Sequence, residues 1–253
     1  MTAILVGESV SKHFGGLKAV DNVDFQLEEG AILGLIGPNG AGKTTLFSVA
    51  AGSIAPTRGR VLLNGRKVSG KSAHGSVHHG ICRTHQIVRP FALLTVLENV
   101  LVGHYHGRPE NPGAGEPRQT AMEVLDFIGL APKAARLPGE LTLADRKRLE
   151  VARALATGPR VLLLDEVIAG LNPVETTAML DLIRQIRDRG ISIIMIEHVM
   201  NAVMSLSDRV IVLDHGRKIA EGTPSEVAAD PRVIEAYLGT DDDAGRPPES
   251  EGR

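Results

Sequence analysis

Residues 37–45, "GPNGAGKTT", place a lysine and two threonines at the end of a glycine-rich turn, between an aliphatic run and a helix-like run that begins at Lys43. In that setting the pattern G-x-x-x-x-G-K-[ST] is a phosphate loop. Glycines at 37, 40 and 42 permit backbone angles that turn successive N–H groups onto one phosphate, and the start of the next helix adds its positive end. The whole loop, Gly37, Pro38, Asn39, Gly40, Ala41, Gly42, Lys43, Thr44 and Thr45, is therefore expected to hold nucleotide. Lys43 supplies a point charge for the β- and γ-phosphates, Thr44 a hydroxyl for Mg²⁺, and Thr45 a contact at the α-phosphate.

The second chemical feature is "VLLLDE" (161–166), two acids at the end of an aliphatic strand. One acid beside a nucleotide site can hold Mg²⁺ while the other orients and partly deprotonates an attacking water. Asp165 takes the first role and Glu166 the second, which points to a hydrolase. No N-K-x-D segment is present to read guanine, and no arginine-rich lid suggests a small-molecule kinase.

These residues need a sheet to position them. Three aliphatic runs, "AILGLIG" (31–37), "RVLLLDE" (160–166) and "ISIIMIEH" (191–198), each end in polar residues and alternate with helix-like stretches. That rhythm predicts βα units around a mainly parallel buried sheet, an α/β fold with chemistry at the carboxyl edge of the strands. "VDNVDFQLEEG" reads as an antiparallel edge strand, "GRVLLNGRKV" (59–68) as a hairpin around Asn64-Gly65, and "DRVIVLDHGRKIAEG" (208–222) as another hairpin. Helical periodicity dominates between about 92 and 158, interrupted by "GHYHGRPENPGAGEPRQ" (103–119), which reads as a mobile surface loop. The organisation is a nucleotide-binding core in two parts, 1–91 and 159–239, a helical subdomain at 92–158, and a tail at 240–253 expected to be disordered.

Composition narrows the classes. At 253 residues with formal net charge −2, the chain carries no basic face for nucleic acid. A single cysteine, Cys82, excludes an internal disulfide framework and fits a reducing compartment. No apolar run approaches the roughly 20 residues that span a bilayer, so any link to a membrane runs through another chain. The cluster "HGSVHHGICRTH", with His74, His78, His79, His85 and Cys82, reads as a solvated helix face followed by a strand change rather than as a metal site.

The order of motifs, phosphate loop, "RTHQ", a helix start at 141, "VLLLDE", "AGLNP" and "IEHVM", resembles the ATP-binding subunit of an ABC transporter over nearly the whole chain to about residue 239. "KHFGGLKAVDNVDF", "LTVLENV", "RKRLEVARALAT" and "VIEAYLG" look most like ATPase subunits of importers for branched-chain amino acids and related small polar solutes. The resemblance implies a P-loop NTPase of ABC ATPase type, with a mainly parallel central sheet, an antiparallel β edge and a helical subdomain. It implies ATP and Mg²⁺ as ligands and ATP hydrolysis as the reaction. Gln86 is expected to touch Mg²⁺ or the lytic water, His198 to reach the γ-phosphate, Phe14 to stack on adenine, and Asn172 to face the opposite subunit. Implied partners are integral-membrane permease subunits, a second ATPase subunit, identical or paralogous, in a nucleotide-sandwich dimer, and indirectly an extracytoplasmic solute-binding protein. The location would be the cytoplasmic face of the membrane, as a peripheral subunit. An ABC ATPase that remodels a soluble complex, or a low-activity regulatory subunit, shares the same motifs.

The stretch 141–145 departs from the family's usual L-S-G-G-Q. Here Leu141, Thr142, Leu143, Ala144 and Asp145 keep a hydroxyl and the N–H groups of a helix start, but replace both glycines. Thr142 is expected to contact the partner's ATP, with Asp145 a negative group near the γ-phosphate, its charge offset by Arg146, Lys147 and Arg148 or those three forming a solvated basic face.

Overall fold

The computed structural model of the protein describes residues 2–70, 72–85, 89–108 and 116–238. In chain order the elements open with β1 (Ala3–Phe14), β2 (Leu17–Glu28), β3 (Ile32–Ile36), α1 (Lys43–Ala50), β4 (Arg58–Leu63) and β5 (Arg66–Lys67). Next come α2 (Ala73–His79), β6 (Ile81–Arg83), α3 (Val96–Tyr105), α4 (Pro117–Phe127), α5 (Leu143–Leu155) and β7 (Val161–Asp165). The chain continues through α6 (Pro173–Asp188), β8 (Ser192–Ile196), α7 (Met200–Leu206), β9 (Arg209–Asp214), β10 (Arg217–Gly222), α8 (Pro224–Ala228) and α9 (Pro231–Leu238).

Two sheets form. Six strands run in the order β10-β9-β3-β8-β7-β6, parallel except where β10 pairs with β9, and four antiparallel strands run β2-β1-β4-β5. All residues of β3, β7 and β8 are buried, the signature of a parallel sheet covered on both faces. Their side chains divide by the two-residue period of a strand. Ile32, Leu162, Leu164, Ile193 and Met195 join the core with α3, α4, α5 and α6, while Leu33, Leu35, Leu163, Ile194 and Ile196 pack with α1 and the antiparallel sheet. Each fully buried Leu or Ile contributes about 1.5–3 kcal/mol, so the strand ends that carry Asp165 and the phosphate loop stand on fully buried strands.

The hairpins expected from sequence are present. Asn64 and Gly65 (φ 48° and 74°) and His215 and Gly216 (φ 43° and 78°) both adopt the positive angles that a two-residue turn requires. The antiparallel edge strand expected around "VDNVDFQLEEG" is β2, the edge of the four-stranded sheet. Its neighbour β1 went unread in the sequence. Register shifts between Gly7 and Val10 and again near Lys12 break the alternation that would have revealed it. Of the loop expected at 103–119, the ends are helical, since α3 runs to Tyr105 and α4 starts at Pro117, and residues 109–115 lie outside the described residues. Gly103 sits inside α3 for steric reasons, since a Cβ there would lie 2.3 Å from the Arg153 carbonyl of α5. The tail 240–253 lies outside the described residues. Among the described residues no helix is long and apolar enough to cross a membrane.

Candidate active site

The phosphate loop turns between β3 and α1, as the strand–glycine–helix pattern demands. Gly42 caps α1 with φ 94°, and a Cβ at this position would lie 2.2 Å from the Ala19 carbonyl, so only glycine fits. No side chain caps the N-terminus of α1, whereas α2, α3, α5, α6 and α8 all have one. Its first amides are left to a ligand, and an anion suits them. Lys43 is buried and spans the loop, donating to the carbonyls of Gly37 (2.7 Å) and Pro38 (2.8 Å). Burial pushes its pKa down, and the nearby Glu166 carboxylate opposes that.

The loop opens on a cleft of about 620 Å³ that gathers most of the residues expected from sequence. Phe14, Asn39, Gly40, Ala41, Gly42, Lys43, Thr44, Thr45, Glu166 and His198 all line it, with Gly37 and Pro38 behind Lys43. The half-exposed Phe14 ring closes one end, with the Lys12 ammonium 5.1 Å from its centroid. The turn His215-Gly216 also lines the cleft and was missed in the sequence. Its only signal was a hairpin turn, and it reaches the loop because the Gly216 amide donates to the Ala41 carbonyl at 3.0 Å.

At the end of β7 the two acids part. The Asp165 amide donates to Thr84 Oγ1 (3.0 Å), and Asp165 Oδ2 accepts from Arg83 Nη2 (2.9 Å). Burial raises the Asp165 pKa, and the Arg83 guanidinium works against it. Thr44 and Asp165 face a common cleft of about 490 Å³ that adjoins the first through Thr44. A hydroxyl and a carboxylate are hard oxygen donors of the kind Mg²⁺ takes. Glu166 turns the other way, at φ 50°, with Oε1 2.7 Å from His198 Nε2. Sequence reasoning placed both residues at the γ-phosphate and missed that they touch each other. Gln86 lies outside the described residues.

The turn at 141–145 differs from expectation in its charges. Thr142 caps α5, accepting the Asp145 amide at 3.2 Å and donating to Asp145 Oδ2 at 2.9 Å. Asp145 is buried and paired with Lys133, its main counter-charge, while Arg148 adds a smaller attraction. Burial alone would raise its pKa, but the bonds from Lys133 and Thr142 outweigh that and hold it below the usual range. The basic run divides, with Arg146 exposed and Arg148 half-buried, whereas Lys147 is buried and donates to the Glu166 carbonyl at 2.7 Å. Thr142 itself is exposed and lies apart from the residues lining the Phe14 cleft. Asn172 caps α6, accepting the Glu175 amide at 2.9 Å, so its side chain is engaged within its own chain. His74 and His78 stack one turn apart on α2, while Cys82 sits on β6.

The family model "ABC transporter" matches residues 20–169, and the model "Branched-chain amino acid ATP-binding cassette transporter" matches residues 217–243. The high-affinity branched-chain amino acid transport ATP-binding protein BraF of Pseudomonas aeruginosa is 40% identical over 93% of this chain and 98% of its own. Its counterpart LivG of Escherichia coli is 41% identical over 89% of this chain and 94% of its own. Among solved structures, the ADP conformation of an ATP-binding cassette of an ABC transporter superimposes with a TM-score of 0.86 at 33% identity, covering 95% of this chain and all of that one. A dimeric bacterial ABC transporter cassette gives 0.77 at 25% identity, covering 87% of this chain and 98% of that one.

Proposed function

The chain belongs to the ABC transporter family of ATP-binding proteins, and from that premise we propose that it binds and hydrolyses ATP to power an importer of branched-chain amino acids or similar small polar solutes. The observation that carries the reading is the convergence of the phosphate loop, Glu166 and His198 on one cleft, in a chain whose relatives are named for branched-chain amino acid transport.

The triphosphate rests on the α1 N-terminus and the loop amides, with Lys43 on the β- and γ-phosphates and Phe14 against the adenine. Thr44 and Asp165, with Gln86 as a further contact, would hold Mg²⁺, which would supply charge neutralisation on the phosphates. Glu166 orients the attacking water and draws off its proton, and His198 fixes the carboxylate at Oε1. Two such chains, or one and a paralogue, sandwich two ATP molecules between one phosphate loop and the other's Thr142 turn. Closure of this sandwich is passed through the helical subdomain, 92–158, to permease subunits at the cytoplasmic face, and a solute-binding protein delivers cargo outside.

Glu166→Gln separates binding from chemistry, because the amide keeps the shape and loses the basicity. With ATP and Mg²⁺, light scattering should show this variant trapped as a dimer, with turnover reduced. A variant that stays monomeric and hydrolyses ATP at the parent rate overturns the role of Glu166. Reconstitution with permease should raise the low turnover of the isolated chain. Full turnover in isolation, with no membrane protein co-purifying in mild detergent, would favour remodelling of a soluble complex instead.

A further inference from the structure

Lys147 is the fifth residue of α5, and its side chain does the opposite of what a surface lysine does. Such a lysine lays its stem on the protein and keeps its ammonium in water. Here the residue is 6% exposed and the ammonium is spent on the main-chain carbonyl of Glu166, at 2.7 Å. Burying an ammonium is unfavourable unless it is bonded and paired. The bond is to Glu166, and the buried Glu197, 4% exposed, adds a Coulombic attraction that favours the charged form of each.

The carbonyl that Lys147 holds belongs to an unusual residue. Glu166 has φ 50°, an angle that a glutamate adopts only when its surroundings impose it. Three hydrogen bonds do so. The Glu166 amide donates to the Ile196 carbonyl of β8 (3.0 Å), and the Glu166 carbonyl accepts the Ala169 amide (3.3 Å) and the Lys147 ammonium. Two of these come from the sheet and the turn itself. The third comes from the helical region, from the helix that Thr142 begins. Glu197 braces the same turn, since its Oε1 accepts the Ile168 amide at 3.0 Å, and it precedes His198 in the chain.

We propose that Lys147 is a positioning residue for Glu166: it fixes the left-handed backbone that aims the carboxylate into the phosphate cleft, and it ties that backbone to α5. The inference rests on Glu166 acting as general base. Thr142 and Lys147 are five residues apart on one rigid helix, about 7.5 Å along its axis. A displacement of the α5 N-terminus on meeting a partner's nucleotide therefore moves the group that grips the base of its own site.

The test uses the full chain with ATP and Mg²⁺. Lys147→Met keeps length and removes the donor, and should lower kcat about 10–100-fold, the scale of a misplaced catalytic group. ATP affinity, measured by calorimetry, should stay within about 3-fold of the parent. Lys147→Arg, which can still donate to the carbonyl, should recover most of the loss. The double variant Lys147→Met/Glu197→Gln leaves no unpaired buried charge, and it carries the test if the single variant unfolds. A kcat that remains low in the double variant supports positioning, whereas recovery to the parent rate means that Lys147 only balances Glu197 and overturns the proposal. Parent kcat in Lys147→Met overturns it too, and leaves the role of Glu166 standing if Glu166→Gln is slow. If Glu166→Gln keeps the parent rate, the general-base reading itself has failed.

Discussion

The Thr142 hydroxyl donates to Asp145 Oδ2 at 2.9 Å while accepting the Asp145 amide at 3.2 Å, so the turn that replaces the family's two glycines is closed by its own side chains. The hydroxyl's one proton is committed to Asp145, which Lys133 also holds, so Thr142 donates to a phosphate only by exchanging that bond.

Thr142→Ala removes a helix cap and, where a partner's ATP draws the hydroxyl proton away from Asp145, a phosphate donor. Stability should fall by about 1 kcal/mol, and turnover in the intact assembly should fall roughly 10-fold, the lower end for loss of one transition-state donor. Urea melts and steady-state rates check the two effects separately. A variant with parent turnover removes the turn from the ATP site.

Asp145→Asn leaves Lys133 without its ion pair. A loss of about 1–3 kcal/mol in unfolding free energy is expected, the range for a hydrogen bond to a charged group. Had Asp145 faced the γ-phosphate, the same change would leave stability unaltered and strengthen ATP-driven dimerisation at low salt.

Lys43→Ala should lose affinity and turnover together, because a charge on the β- and γ-phosphates acts in both ground and transition states. Calorimetry should show ATP binding weaker by about 10–100-fold, from the worth of a charge-assisted bond. Unchanged affinity would remove Lys43 from the site.

Phe14→Ala should weaken ATP binding by about 1–3 kcal/mol, the range for base-aromatic stacking, and leave the affinity for inorganic tripolyphosphate unchanged. Phe14→Trp keeps a ring and should bind ATP like the parent. Equal losses for both ligands in Phe14→Ala would mean that the ring only shapes the loop.

Glu197 confers a pH dependence of stability. Its carboxyl, ordinarily near 4.5, is pushed up to about 7 by burial, which the Ile168 amide and Lys147 oppose and Glu166 and Asp165 reinforce. Between those two values the folded chain holds a proton that the unfolded chain releases, so stability falls as pH rises through that window. Glu197→Gln abolishes this contribution. The difference between parent and variant in unfolding free energy should change by roughly 3 kcal/mol from pH 4.5 to 7.5, read from urea melts. A constant difference means that Glu197 titrates normally.

The sequence determined the chemistry and the order of the parts. A lysine after a glycine turn, an acid pair ending an aliphatic run and two positive-φ hairpins are local patterns, legible because the residues that specify them are neighbours in the chain. It determined the buried parallel strands for the same reason, since unbroken aliphatic runs suit only a sheet covered on both faces. What it left open depends on residues far apart in the chain. The bulges of β1 hid a strand of twelve residues, because pairing with β2 and β4 rather than periodicity defines it. The charges of α5 were read together, as offsets to Asp145 or as a solvated face, because helical spacing says which side chains share a face and not what that face meets. Lys133 meets Asp145 and Lys147 meets Glu166 only once the helices pack on the sheet, where burial makes each charge seek a partner.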